Sequence, residues 1–335
     1  MDLKRISLGL GLVVWIMPLI SCSKPAHDVE ERYFLVCANA KIPYWQVASA
    51  GLSKAAAELK VRAEIAGPET YDPKAQQQEF QRIMRLKPTG ILVSPADSAL
   101  MKADIDSAVA QGVPVITVDS DSPASQRLLY IGTNNYQAGV MGGKKLVERL
   151  GAKGTVMVFT MPEQANLKER LNGYQAVLTE HPQIKITEIV DIKGDPGIAF
   201  DKTMDVVEHH LDKVDAFVCL EANAGKDVAE VLNRKGIKNK TVVAMDADQG
   251  TLKWVQDGMI AATIAQKPFT MAYYGLKMLD DLYHHKLPTL TRNWGQDPFS
   301  LLPTIVDTGA TLVDRNNVGE FIKAQESTAG GVPKS

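Results

Sequence analysis

The chain has 335 residues, of which 45% are hydrophobic and 23% charged, and its formal net charge is −2. That length accommodates two domains of ordinary size, and the composition is that of a soluble globular protein. No basic run dominates, so nothing in the charge balance points to a nucleic-acid partner.

The amino-terminal stretch opens with Lys4 and Arg5, followed by an uncharged apolar run from Ile6 to Ile20. The run is shorter than the roughly 20 residues a membrane-spanning helix needs, and its layout is that of a signal-peptide core. It ends in Leu19-Ile20-Ser21-Cys22, which resembles the bacterial lipobox. The expectation is therefore a signal peptide over 1–21, a lipidated Cys22 as first residue of the mature chain, and a polar tether over 22–32. Cys37 and Cys219 each lie inside an apolar run with no Cys-x-x-Cys and no nearby histidine, so they read as buried thiols.

Apolar runs then alternate with amphipathic stretches. Tyr33–Asn39 reads as a strand, and the alanine-rich Tyr44–Leu59 as a helix with Ala48, Leu52, Ala55 and Leu59 on one face. Val61–Ala66 is a strand. Pro73–Leu86 is a helix capped by Asp72, with proline at its first position. Gly90–Ser94 is a strand, Ala99–Gln111 a helix with Ser98 as cap, and Val113–Val118 a strand with Pro114 near its start.

The rhythm restarts in the second half. Helices are expected over Asn135–Leu150, Leu167–His181, Ile198–Leu211, Lys226–Lys235, Gly250–Asp257 and Phe269–Tyr283. Strands fall between them at Thr155–Phe159, Ile184–Asp191, Ala216–Leu220, Thr241–Met245 and Ala261–Ala265. Strands alternating with helices imply right-handed βαβ units, and near-continuous apolar strands imply parallel sheets covered on both faces. Two such series predict an α/β protein of two doubly wound lobes.

Ligands of such sheets bind beyond the carboxyl ends of the strands. Lys41-Ile42-Pro43-Tyr44-Trp45 follows the first strand, and its two aromatics offer flat faces of the kind that stack on a sugar ring. Asp119 follows Val118 and can accept two hydroxyl hydrogen bonds. In the second half Asn166 and Arg170 are four residues apart on one helix face. Asn223 follows the strand ending at Leu220, Asp246 follows Met245, and Gln266 follows Ala265. Each alone reads as a cap or turn residue; what unites them is location.

Taken together, the chain resembles the ribose-binding-protein-like type I periplasmic binding proteins, from about Tyr33 to about Asp314. The resemblance is carried by Pro43-Tyr44-Trp45, Ile91-Leu92-Val93-Ser94-Pro95-Ala96-Asp97-Ser98 and Gly112-Val113-Pro114-Val115-Ile116-Thr117-Val118-Asp119. Further carriers are Ile131-Gly132-Thr133-Asn134-Asn135, Glu169-Arg170-Leu171-Asn172-Gly173-Tyr174, Met245-Asp246 and the run from Gly258 to Gln266. It implies two lobes joined by three crossovers, 33–133 plus 267–307 and 134–266 plus 308–325, with a disordered tail over 326–335. It also implies a ligand, a monosaccharide or related polyol, held by Tyr44, Trp45, Asp119, Arg170, Asn223, Asp246 and Gln266, with Lys41 and Asn166 as additional polar candidates. The implied partners are an ABC transporter permease and, through the lipid, a membrane; a monomer is expected. Ser120 and Met245 depart from the ribose binders, which carry arginine and an aromatic there, so a pocket different from a ribose pocket is expected.

Catalysis finds little support. There is no Gly-x-Ser-x-Gly and no His-Glu-x-x-His. Gly142-Gly143-Lys144-Lys145 lacks the features of a phosphate loop and reads as a small-residue helix face that packs closely. His209-His210 and His284-His285 are adjacent pairs whose members point to different helix faces. No enzyme activity, cofactor or metal is expected. A repressor built on the same fold would need a helix-turn-helix where the signal sequence stands. The alternatives kept are a receptor feeding a membrane kinase or chemoreceptor, and a binder of a non-carbohydrate solute.

Overall fold

The structure is a computed structural model that describes residues 27–28, 30–151, 153–285, 297 and 299–329. The first half contains β1 (Arg32–Val36), α1 (Pro43–Leu59), β2 (Arg62–Ala66), α2 (Pro73–Arg85), β3 (Gly90–Val93), α3 (Ser98–Ala110), β4 (Val115–Val118) and β5 (Tyr130–Gly132). There follow α4 (Asn135–Leu150), β6 (Gly154–Thr160), α5 (Ala165–Thr179), β7 (Ile184–Asp191), α6 (Pro196–His209), β8 (Ala216–Cys219) and α7 (Ala224–Arg234). The remainder is β9 (Thr241–Met245), α8 (Gln249–Asp257), β10 (Ala262–Ala265), α9 (Pro268–His284), β11 (Ile305–Asp307), β12 (Thr311–Asp314) and α10 (Val318–Ala329).

These strands form two six-stranded sheets, β2-β1-β3-β4-β5-β11 and β7-β6-β8-β9-β10-β12. The chain passes from one sheet to the other after β5, after β10 and after β11. Every pairing is parallel except β10 with β12, which makes the second sheet mixed at one edge. β3, β4, β8 and β10 are buried along their whole length, as strands covered by helices on both faces must be. One apolar core fills the second lobe, and two lie around the first sheet.

Local chemistry sets the element ends. The Asp72 carboxylate accepts from the Lys74 and Ala75 N–H groups at the start of α2, with Pro73 at the first position. The cap of α3 is Asp97, which accepts from Ala99 and Leu100, and not Ser98, whose hydroxyl donates to the Asp121 carbonyl. Pro114 lies outside β4, which begins at Val115. At the α4–α5 crossing, a Cβ on Gly139 would lie 2.0 Å from the Arg170 carbonyl oxygen, and one on Gly173 would lie 2.2 Å from that of Tyr136. A Cβ on Gly142 would lie 2.0 Å from the Tyr174 hydroxyl.

Two expectations are corrected. The polar stretch read as a tether is docked on the first lobe over its described residues, with His27 and Glu31 held against α9. The segment from 326 continues α10 to Ala329 instead of being disordered; residues 330–335 lie outside the described residues, as do residues 1–22, on which the expected signal peptide and lipidated cysteine fall. Cys37 and Cys219 are free and buried in different cores. Burial pushes the Cys37 thiol up to about 12 and raises that of Cys219 as well.

Candidate binding cleft

Asp119 and Asp246 occupy equivalent places in the two lobes. Each is the first residue after its strand, β4 or β9, and each has a left-handed backbone, with φ of 64° and 68°. Each donates its N–H to the neighbouring strand, Asp119 to Ile131 at 3.2 Å and Asp246 to Ile264 at 2.9 Å. A non-glycine residue in this conformation costs on the order of 1 kcal/mol and persists where its surroundings enforce it. Here the turn directs a carboxylate off the end of each sheet into the space between the lobes.

The two carboxylates face one guanidinium. Arg170, 2% exposed on α5, donates from Nε to Asn135 Oδ1 at 2.8 Å and from Nη1 to the Leu220 carbonyl at 2.7 Å. Its Nη2 is buried without a hydrogen-bond partner among the described residues, as is Gln266 Oε1. Gln266 Nε2 donates to Asp246 Oδ1 at 2.9 Å. Asp119 accepts from the Tyr44 hydroxyl at 2.7 Å and from Ser94 Oγ at 3.2 Å. Asn166 Nδ2, from the other lobe, reaches Asp119 Oδ2 at 3.5 Å. Burial raises both aspartates above the usual carboxylate range, against the attraction of Arg170.

Asp246 is raised from 3.8 to about 7. Such a group holds its proton more tightly folded than unfolded, so its contribution to stability falls as pH rises from about 4 to about 7. Arg170, Gln266, Asp119 and Glu221 are the groups that face it. The melting temperature of the ligand-free protein is expected to fall across that window, and Asp246→Asn to flatten the slope. Parallel slopes for the two proteins would contradict this.

Eight of the nine sequence candidates converge on this cleft: Tyr44, Trp45, Asp119, Asn166, Arg170, Asn223, Asp246 and Gln266. Lys41 does not line it. Its side chain is 64% exposed and pairs with Glu69 at 2.5 Å, because the chain after β1 turns it outward. Tyr44 and Trp45 stand nearly perpendicular, at 83°, so only one can lie flat on a given ring. Trp45 is also largely absorbed in the core of the first lobe. Asn223 immediately precedes α7, and its Oδ1 accepts from Lys226 Nζ at 3.2 Å.

Further lining residues escaped the sequence reading. Ser94 directly follows β3 and Glu221 lies two residues beyond β8, so both sit at strand ends. Glu221 accepts from the Asn223 and Ala224 N–H groups, and burial raises its carboxyl. Tyr71 carries no such signal: it leaves a loop of the first lobe and packs on the core of the second, beside Gly194.

Known proteins share this fold. A family model described as a periplasmic binding protein domain matches residues 33–286. The ribose import binding protein RbsB of Bacillus subtilis (strain 168) is 21% identical over 292 residues, 84% of this chain and 94% of that protein. The solved structure of AraP, an arabinose binding protein from Geobacillus stearothermophilus, is 32% identical, covers 87% of this chain and 99% of that one, and gives a TM-score of 0.72. An ABC transporter solute binding protein from Burkholderia graminis C4D1M, solved in complex with D-arabinose, is 26% identical over 86% of this chain and 96% of that one, with a TM-score of 0.78. Two doubly wound lobes joined by three crossovers, with polar side chains from both gathered at the strand ends, are the type I form of this fold, and the chain belongs to the periplasmic binding protein family.

Proposed function

We propose that this chain is a non-enzymatic receptor that captures a neutral monosaccharide or closely related polyol between its lobes and delivers it to an ABC importer. The observation that carries the reading is the single guanidinium of Arg170 facing one buried aspartate from each lobe. Carboxylates accept from sugar hydroxyls while the Arg170 fork donates to them, and such charged hydrogen bonds contribute roughly 1.5–3 kcal/mol each. Asp119, Asp246 and Glu221 together outnumber Arg170, which disfavours an anionic sugar, and Lys41 is turned away from the cleft. The names of the relatives, binders of ribose and arabinose, support the same ligand class.

The lobes are taken as 33–133 plus 267–307 and 134–266 plus 308–325, with hinges where the chain passes between sheets. A ligand touching both lobes at once selects the closed state. Residues 1–21 act as a signal peptide, and lipid on Cys22 holds the protein, a monomer, at a membrane in the periplasm or on the cell surface. Wild type should fractionate with membranes and Cys22→Ala should not; equal membrane association of the two would overturn the anchor. For the ligand, a thermal-shift screen over sugars, sugar acids, polyols and amino acids is decisive. A sugar at 100 times its Kd should add about 2.7 kcal/mol. A shift with amino acids and none with any carbohydrate would sink the reading.

A further inference from the structure

Far from the cleft, two imidazoles and two carboxylates converge. His27 and Glu31 precede β1, and Asp280 and His284 share one face of α9 near its end. One ligand atom from each lies within 4.8 Å of all the others. His27 Nε2 is 3.2 Å from Asp280 Oδ2, and His284 Nε2 is 3.1 Å from Glu31 Oε2 and 3.6 Å from Asp280 Oδ1. A tetrahedral zinc ion with bonds near 2.1 Å requires ligand atoms about 3.4 Å apart; the His27–Asp280 Oδ2 and His284–Glu31 Oε2 separations are close to this, and the other separations in the set, all within 4.8 Å, shorten to it by side-chain rotation.

The supporting contacts also fit a metal. Tyr33, buried at the start of β1, donates its hydroxyl to Asp280 Oδ1 at 2.8 Å. The Asp28 N–H donates to Glu31 Oε1 at 2.8 Å. Each carboxylate is thus oriented by a donor that is not a ligand, while its other oxygen faces an imidazole; outer contacts of this kind tune metal ligands. Both carboxylates are 7% exposed, and two of them with two neutral imidazoles balance one dication.

We propose that His27, Glu31, Asp280 and His284 bind a transition-metal dication of the zinc class, which clamps His27 and Glu31, just before β1, onto α9 at the amino ends of the strands. The imidazole and carboxylate donor set suits zinc better than calcium or magnesium, which take oxygen ligands. The clamp acts independently of the sugar cleft, which lies at the opposite ends of the same strands.

The test is calorimetric titration of ZnCl2 into the untagged full chain in detergent, after stripping with a chelator. One equivalent is expected to bind and to raise the melting temperature with or without sugar. His27→Ala, which lies before the first strand, and His284→Gln, which keeps a polar side chain, should each weaken binding at least about tenfold. The pair change His209→Ala and His210→Ala should leave it unchanged. Absence of stoichiometric binding, or binding that survives both His27→Ala and His284→Gln, would overturn the proposal.

Discussion

Replacing Arg170 with methionine is expected to weaken ligand binding by on the order of 100-fold. The methionine keeps much of the apolar stem but removes every donor. Asn135 Oδ1 and the Leu220 carbonyl lose their partner, and Asp119 and Asp246 lose the one positive charge that offsets their burial. Both carboxyls then shift further toward the neutral form and accept less strongly from ligand hydroxyls. The buried Nη2, which has no hydrogen-bond partner among the described residues, is the atom best placed to donate to a ligand. Arg170→Lys should be intermediate, because it restores a charge without the planar fork. The readout is Kd by titration, with circular dichroism confirming the fold. A change under about threefold in a folded Arg170→Met protein would show that Arg170 does not hold the ligand.

Gly173→Ala is expected to destabilise the second lobe by about 3 kcal/mol. Alanine normally improves a helix by about 0.5–1 kcal/mol over glycine, so the expected sign is opposite to propensity. The reason is what the methyl would meet: the Tyr136 carbonyl oxygen at 2.2 Å and the Val140 nitrogen at 2.7 Å, both backbone atoms that cannot rotate aside. α4 and α5 would have to separate, carrying Arg170 with them, so affinity should fall too. Thermal melts should show Tm lowered by about 5–10 °C. An unchanged or raised Tm would mean that the two helices do not cross at backbone contact.

The doubly wound architecture was legible because its central strands, such as β3, β4, β8 and β10, are buried on both faces and read as unbroken apolar runs. β5, β11 and β12 were not read as strands: they have three or four residues each, and β11 and the start of β12 are half-exposed or exposed. Position after a strand pointed to Asp119 and Asp246, and both line the cleft, because a parallel sheet delivers that residue to one edge. The same rule covers Ser94, and Glu221 lies one position further past its strand. Lys41 shows its limit: an outward turn after β1 sends a strand-end residue to the surface. The histidine–carboxylate cluster carries no local sequence signal, because its halves lie 253 residues apart.

The central claim is that the cleft binds a neutral sugar through both lobes and returns it unaltered. Calorimetric titration of the purified protein with the sugar that most raises its melting temperature, followed by recovery of the bound material and its mass, tests this most directly. One-to-one binding, lost in both Asp119→Ala and Asp246→Ala, with the sugar recovered intact, is the predicted result. Unimpaired binding in either variant, or recovery of a chemically changed product, would contradict it.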